Sequence, residues 1–249
     1  MTSGARYLPG IEPSEVCDCD VLLGRYPDRP GPVGDPASVR SLLDRLGIGQ
    51  ALVCSLRGAL WDHASGNAET SATSEPGFVA VSTVDFRDPL RAERTLESLA
   101  EQGRKVLRLF PEEQHSEPDF PGVRLVARRA AELGFLVLLG GDVRRMWRPF
   151  AGLGATVVFL DTHFYHLGDL LALARDEPGF HTSTRLLNSP DALELVCADG
   201  HADRLVLGTR SPLCEPAVPL LRLAKSDLDE ATRAAIAGGN LRRLLEGRT

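Results

Sequence analysis

Lysine is almost missing from this chain: of its 249 residues only Lys105 and Lys225 are lysines, and arginine supplies every other basic side chain. Lys105 opens an apolar run and Lys225 falls in a late helical stretch, so Schiff-base or pyridoxal-phosphate chemistry has almost no residue to use. A positive excess is missing too. The formal net charge of -6 argues against a phosphate-backbone footprint, and nucleic acid is not an expected partner. No apolar run approaches the roughly 20 residues needed to cross a bilayer. No basic segment followed by an apolar one opens the chain, so a soluble, cytoplasmic protein with no membrane partner is expected. The Gly-rich dinucleotide fingerprint is also absent, since Leu23-Gly24-Arg25-Tyr26 offers one glycine where three are wanted. Cysteines number five, an odd count. At positions 17, 19, 54, 197 and 214 they read as reduced thiols, not a disulfide framework.

What is present begins at residues 16–24, where Cys17, Cys19 and Val21 alternate with Asp18, Asp20 and Leu22. A period of two predicts a strand with the acids on one face and the cysteines on the other, packed under the outer helices. Further strands are predicted at residues 50–56, 78–85, 105–110, 135–139, 156–161, 180–184 and 204–209. Helices are predicted at 35–46, 88–102, 123–133, 167–175 and 189–197, and again at 215–224, 227–237 and 241–246. Asp35 and Asp88 are N-cap candidates, and Gly47, Gly103 and Gly134 are stop signals. Residues 1–14 read as an N-terminal arm, and 57–77 as a loop that covers something. Strands alternating with helices over 15–249 predict a single domain, an α/β (β/α)8 TIM barrel with extra C-terminal helices.

In such barrels function gathers where strands end. Those ends are Asp20, Ser55, Asp85, Arg108, Asp142, Asp161 with His163, residues 181–183 beginning at His181, and Arg210. Together they outline a polar basin above an apolar barrel.

The motif Asp18-Cys-Asp20-Val-Leu22-Leu-Gly24 resembles the D-x-H-x-H-x-G opening of the amidohydrolase-related barrels, amidohydrolase family 2. Residues 40–53 resemble that family's first helix and second strand, and Val106-Leu-Arg-Leu-Phe-Pro111 its fourth strand. Residues 203–212 resemble its eighth strand and 238–244 its closing helix. The resemblance implies a metal-dependent-hydrolase-like TIM barrel. It also implies a divalent ion held by two strand 1 histidines, one histidine each after strands 5 and 6, and a strand 8 aspartate.

This chain departs from that pattern. It has Asp20 and Leu22 on strand 1, Gly140 or Gly141 on strand 5 and Arg210 on strand 8, and only Asp161 or His163 on strand 6 is similar. A leucine, a glycine and a guanidinium cannot bind zinc, so no metal and no cofactor are expected. His163 and His166, an H-x-x-H pair, with His181 leave a residual metal site open. Arg210 shares a strand face with Val206 and Gly208. It is expected to stand where the ion would, neutralising Asp20 and Asp161.

The expected function is a metal-independent hydrolase of lactonase or amidohydrolase type, or a decarboxylase-like lyase, acting on a small carboxylate-bearing molecule. Asp20, Asp161 and His163 are the candidate acids and bases. Arg108, Arg210, Asp85 and His181 are the candidate substrate-binding residues. The alternative is a silent barrel that binds a small molecule or serves in assembly, and self-association into a homo-oligomer stays open.

Overall fold

Short Asp-Pro signals start two of the helices. Asp35 accepts a hydrogen bond from the Ser38 amide at 3.0 Å, Pro36 occupies the first turn, and Gly47 at φ 77° ends α1 (Pro36–Leu46). Asp88 and Pro89 open α4 (Pro89–Glu101) in the same way. In this computed structural model the described residues are 7–27, 31 and 34–247. The remaining helices are α2 (Leu56–Leu60), α3 (His63–Ser71), α5 (Pro121–Glu132), α6 (Val143–Met146), α7 (Leu167–Asp176), α8 (Ala192–Ala198), α9 (Ala217–Ala224), α10 (Glu230–Ala234) and α11 (Asn240–Glu246). No helix among the described residues is long and apolar enough to cross a membrane.

All strand pairs are parallel. β1 (Cys17–Leu23), β2 (Gln50–Ser55) and β3 (Phe78–Ala80) form one sheet. β4 (Ser82–Thr83), β5 (Val106–Leu109), β6 (Leu136–Leu139), β7 (Thr156–Phe159), β8 (Phe180–Ser183) and β9 (Leu205–Val206) form the other. β3 and β4 are halves of the one strand expected at 78–85, and Val81 between them donates to Val53 at 2.9 Å. At the other seam Cys19 donates to Leu207 at 2.9 Å and Leu22 to Ser211 at 2.8 Å, so backbone hydrogen bonds bridge both gaps between the sheets.

Apolar side chains sort into an inside and an outside. Leu22, Leu52, Val106, Leu138, Val158 and Val206 fill the interior, and Leu241 of α11 joins them at its base. Val21, Val53 and Leu207 pack outward against helices on one side, and Leu107, Val137 and Phe159 do so on the other. Cys17, Cys19 and Cys54 belong to the interior group, which corrects the expectation that the strand 1 thiols lie under the outer helices. Two further expectations shift. Residues 57–77, expected as a loop, hold most of α2 and all of α3. In the supposed arm, Leu8 and Ile11 are buried against the barrel, while residues 1–6 lie outside the described set.

Candidate active site at the barrel mouth

The site begins with an extra residue in β1. From Asp18 to Val21 this strand advances three positions while β2 advances two, Ala51 to Val53. Such a bulge puts Cys19 and Asp20 on the same, inward side and leaves Asp18 facing away. The expected sharing of one face by the two acids is thereby broken. Asp18 occupies the gap that the bulge opens. Its carboxylate accepts the Asp20 amide at 2.9 Å, the Thr209 amide at 3.1 Å and the Thr209 hydroxyl. Burial nonetheless dominates, since Asp18 is fully enclosed with no cation against it, and its carboxyl is pushed up to about 7.

Asp20 meets the opposite environment. Arg108 from β5 pairs with its Oδ1, Arg210 Nε reaches Oδ2 at 3.1 Å, and Arg185 Nε stands 3.9 Å from Oδ2. Burial acts against the charge here too, but the guanidinium groups of Arg108, Arg210 and Arg185 outweigh it and hold the carboxyl down to about 2. Arg108 is itself fixed by the Phe110 ring, whose centroid lies 4.8 Å from Cζ. Its side chain is 3% exposed, too deep to line the cleft above.

Asp161, just beyond β7, is the second anion. Arg185 pairs with it, Arg210 Nη2 lies 2.9 Å from Oδ1, and the Gly141 amide donates to Oδ2 at 2.9 Å. Gly140 and Gly141 make this possible. A Cβ on Gly140 would stand 3.4 Å from Asp161 Oδ2, and Gly141 holds φ +95°, where side chains are disfavoured. Arg210 thus bridges Asp20 and Asp161 as expected, though not from a regular strand. β9 ends at Val206, and Arg210 adopts φ 58°, an uncommon backbone state for a non-glycine residue. Burial acts against the charge on its guanidinium, but the facing acids Asp20 and Asp161 outweigh it and raise its affinity for the proton.

Within this cluster three guanidinium groups therefore face two carboxylates, one cation more than its own acids neutralise. Above them opens a cleft of about 550 Å³, lined by Asp161, Arg185, Arg210, Arg144, His163 and Glu112 among others. His163 stacks on Tyr165 with ring centroids 4.7 Å apart, and its pKa is lowered by burial, by His166 and by Arg185.

Two expected site residues lie elsewhere. Asp85 is held by its own neighbour, Arg87, through Nε and Nη2 at 2.8 Å each. His181 sits in register with Val158, and its Nδ1 is 3.3 Å from the Asp203 carbonyl before β9, toward the base of the barrel. It is thus not beside His163 and His166, and among the described residues no group of three or more His, Cys, Asp or Glu side chains is placed to hold a metal ion. Arg185 was missed. It stands two residues past Ser183, and following the Thr-Ser-Thr-Arg run one step further would have found it.

No family model and no curated protein sequence matches this chain. Solved structures do. A 2,6-dihydroxybenzoate decarboxylase from Rhizobium superposes with TM-score 0.71 at 14% identity, covering 94% of this chain and 99% of that one. A TIM-barrel protein of uncharacterised function from Bordetella bronchiseptica gives TM-score 0.74 at 15% identity over 94% and 99%. The fold is a TIM barrel. A third relative, 5-carboxyvanillate decarboxylase from Novosphingobium aromaticivorans, gives TM-score 0.69 at 12% identity over 99% of both chains, and was solved with manganese and 4-hydroxy-3-methoxy-5-nitrobenzoic acid.

The residues at this mouth do not fit such an ion. Both oxygens of Asp20 face guanidinium groups, those of Asp161 face Arg185, Arg210 and the Gly141 amide, and Arg210 lies between the two acids. A divalent cation there would have to displace like charge.

Proposed function

We propose that this chain is a decarboxylase-like lyase that takes a small carboxylate-bearing molecule into the cleft, with arginine supplying the positive charge in place of a metal. The observation that carries this reading is the unbalanced cluster. Asp20 and Asp161 neutralise two of its three guanidinium groups, and Arg185 and Arg210 reach the cleft lining. A monoanion completes the balance, and a planar carboxylate matches the fork of an arginine. The fold likeness to decarboxylases of aromatic acids supports the same reading.

Roles follow from position. Arg185 and Arg210 bind the carboxylate. Arg108 and Asp20, buried behind them, are positioning residues, because a carboxyl held near 2 and bonded to arginine exchanges no proton at neutral pH. Asp161 orients the two arginines, and His163, its imidazole kept neutral, faces the bound molecule. Lyase chemistry is preferred to hydrolysis because Asp20 and Asp161 are both engaged and unavailable to activate water. The same engagement favours one second reading, a barrel that binds without turnover.

Calorimetry and thermal shift with benzoate, salicylate and 2,6-dihydroxybenzoate test binding, and release of CO2 from any binder tests chemistry. Arg185→Gln is expected to weaken binding about tenfold or more while the circular dichroism spectrum is kept. Activity should survive a chelator, and elemental analysis should find no stoichiometric transition metal. Binding with no CO2 released selects the second reading, and metal-restored activity overturns the arginine-for-metal assignment.

A further inference from the structure

Carboxylates crowd the mouth, and all but one of those around the cleft have a partner. Asp20 and Asp161 face arginines, Asp142 pairs with Arg144, Glu117 pairs with Arg145, and Glu113 accepts from the Tyr26 hydroxyl at 3.0 Å. Glu112 is the exception. Among the described residues its side chain has no hydrogen bond or ion pair. It follows β5 by way of Phe110 and Pro111, and its Oε1 lies 3.7 Å from where a Cβ on Gly141 would stand. It therefore sits over the glycine whose amide holds Asp161. It also lines both the 550 Å³ cleft and an adjoining hollow of about 300 Å³.

We propose that Glu112 is the proton donor of this cleft, taking up a proton as the carboxylate binds and passing it to the carbon that loses CO2. The assignment rests on the lyase reading above and names its acid.

The surroundings favour a protonated carboxyl. Partial burial comes first, then the negative charges of Asp161, Glu113 and Asp142, with Arg210 opposing, and together they raise the pKa of Glu112 above its ordinary value. His115 and Glu117 of its own loop, Arg145 of α6, His163 and His166 beyond β7, Arg144 and Arg185 line the same two spaces. An arriving carboxylate adds a further negative charge beside Glu112, which an ionised Glu112 would repel and a neutral one would not. Being exposed at the rim, Glu112 can regain its proton from water.

The step balances. Arg185 and Arg210 hold the substrate carboxylate and the C–C bond to it breaks. Its electron pair stays on the substrate carbon and forms the new C–H bond with the proton of Glu112. CO2 leaves and Glu112 is left as carboxylate, to be reprotonated by solvent.

Benzoate titrated into the full-length protein in buffers of different ionisation enthalpy measures proton uptake directly. The expected result is uptake approaching one proton per benzoate and an affinity that falls by up to about tenfold per pH unit above the Glu112 pKa. In Glu112→Gln both uptake and that pH slope should vanish while benzoate still binds. For any carboxylate that is turned over, the same variant should lose CO2 release without losing affinity. Uptake that persists in Glu112→Gln and disappears in His163→Gln assigns the proton to the imidazole and overturns the proposal, leaving the carboxylate site standing. No binding of benzoate, salicylate or 2,6-dihydroxybenzoate by the wild type overturns the carboxylate reading, and the proton donor with it.

Discussion

Asp18 and Asp20 are two residues apart, and both are fully buried, yet one carboxyl is pushed up to about 7 and the other held down to about 2. Burial acts on both in the same direction. The difference lies in what the β1 bulge lets each acid touch. Asp18 receives two amides and a hydroxyl, dipoles that offset part of its desolvation. Asp20 receives the formal charges of Arg108, Arg210 and Arg185. At Asp18 the dipoles offset only part of the cost of burial, whereas at Asp20 opposite charge outweighs it.

The largest expected effect comes from breaking the charged half of that comparison. Asp20→Ala leaves buried guanidinium groups without their shared partner and should cost on the order of 3–5 kcal/mol in urea unfolding. Asp18→Asn should cost about 1 kcal/mol or less near pH 6, because the native group already holds its proton there. Equal losses in the two variants would refute the distinction.

Stability against pH sharpens it further. Asp18 has a folded pKa above its unfolded value, so its contribution is complete below about pH 4 and is lost as pH rises through about 7, on the order of 4 kcal/mol in all. Asp20 runs the other way, contributing above about pH 4 and losing on the order of 2 kcal/mol as pH falls through about 2. Urea midpoints from pH 2 to 8 should show both limbs, and Asp18→Asn should flatten only the one between 4 and 7.

A smaller effect is expected from Arg210→Lys. The charge stays, but one ammonium cannot reach Asp20 and Asp161 as the fork does, and a loss of about 1–2 kcal/mol is expected by thermal unfolding. The smallest disturbance is none at all: Cys17 and Cys54, their thiols pushed up to about 12 by burial, should resist alkylation while the fold is intact.

Much of this was legible in the residues. The alternation of apolar runs with Asp-capped, glycine-stopped helices implied the barrel, because propensity and capping act locally. Asp20, Arg108, Asp161 and Arg210 were legible as a group because strand ends converge in that fold. What failed to show is non-local. A bulge has no signature in alternating Cys-Asp-Cys-Asp, so the faces of β1 were misassigned. Asp85 was claimed for the mouth although Arg87, two residues on, had captured it. His181 is on the right strand but a layer too low. Glu112 went unremarked in an acidic loop, since what sets it apart is the absence of a partner, and pairing is a property of space.

The contact between Asp18 and Thr209 joins positions 191 apart in a chain of 249 residues. During synthesis the first strand must therefore wait, with an unsatisfied acid and an unsealed edge, until nearly the whole polypeptide has been made. The pairing of Asp20 with Arg210 waits equally long. Contacts this remote in sequence repay their closure entropy late, so the seam between the first strand and the last is among the later parts of the molecule to form. A chain cut short before residue 209 should carry most of the helices but lack Arg210, the side chain that joins Asp20 to Asp161.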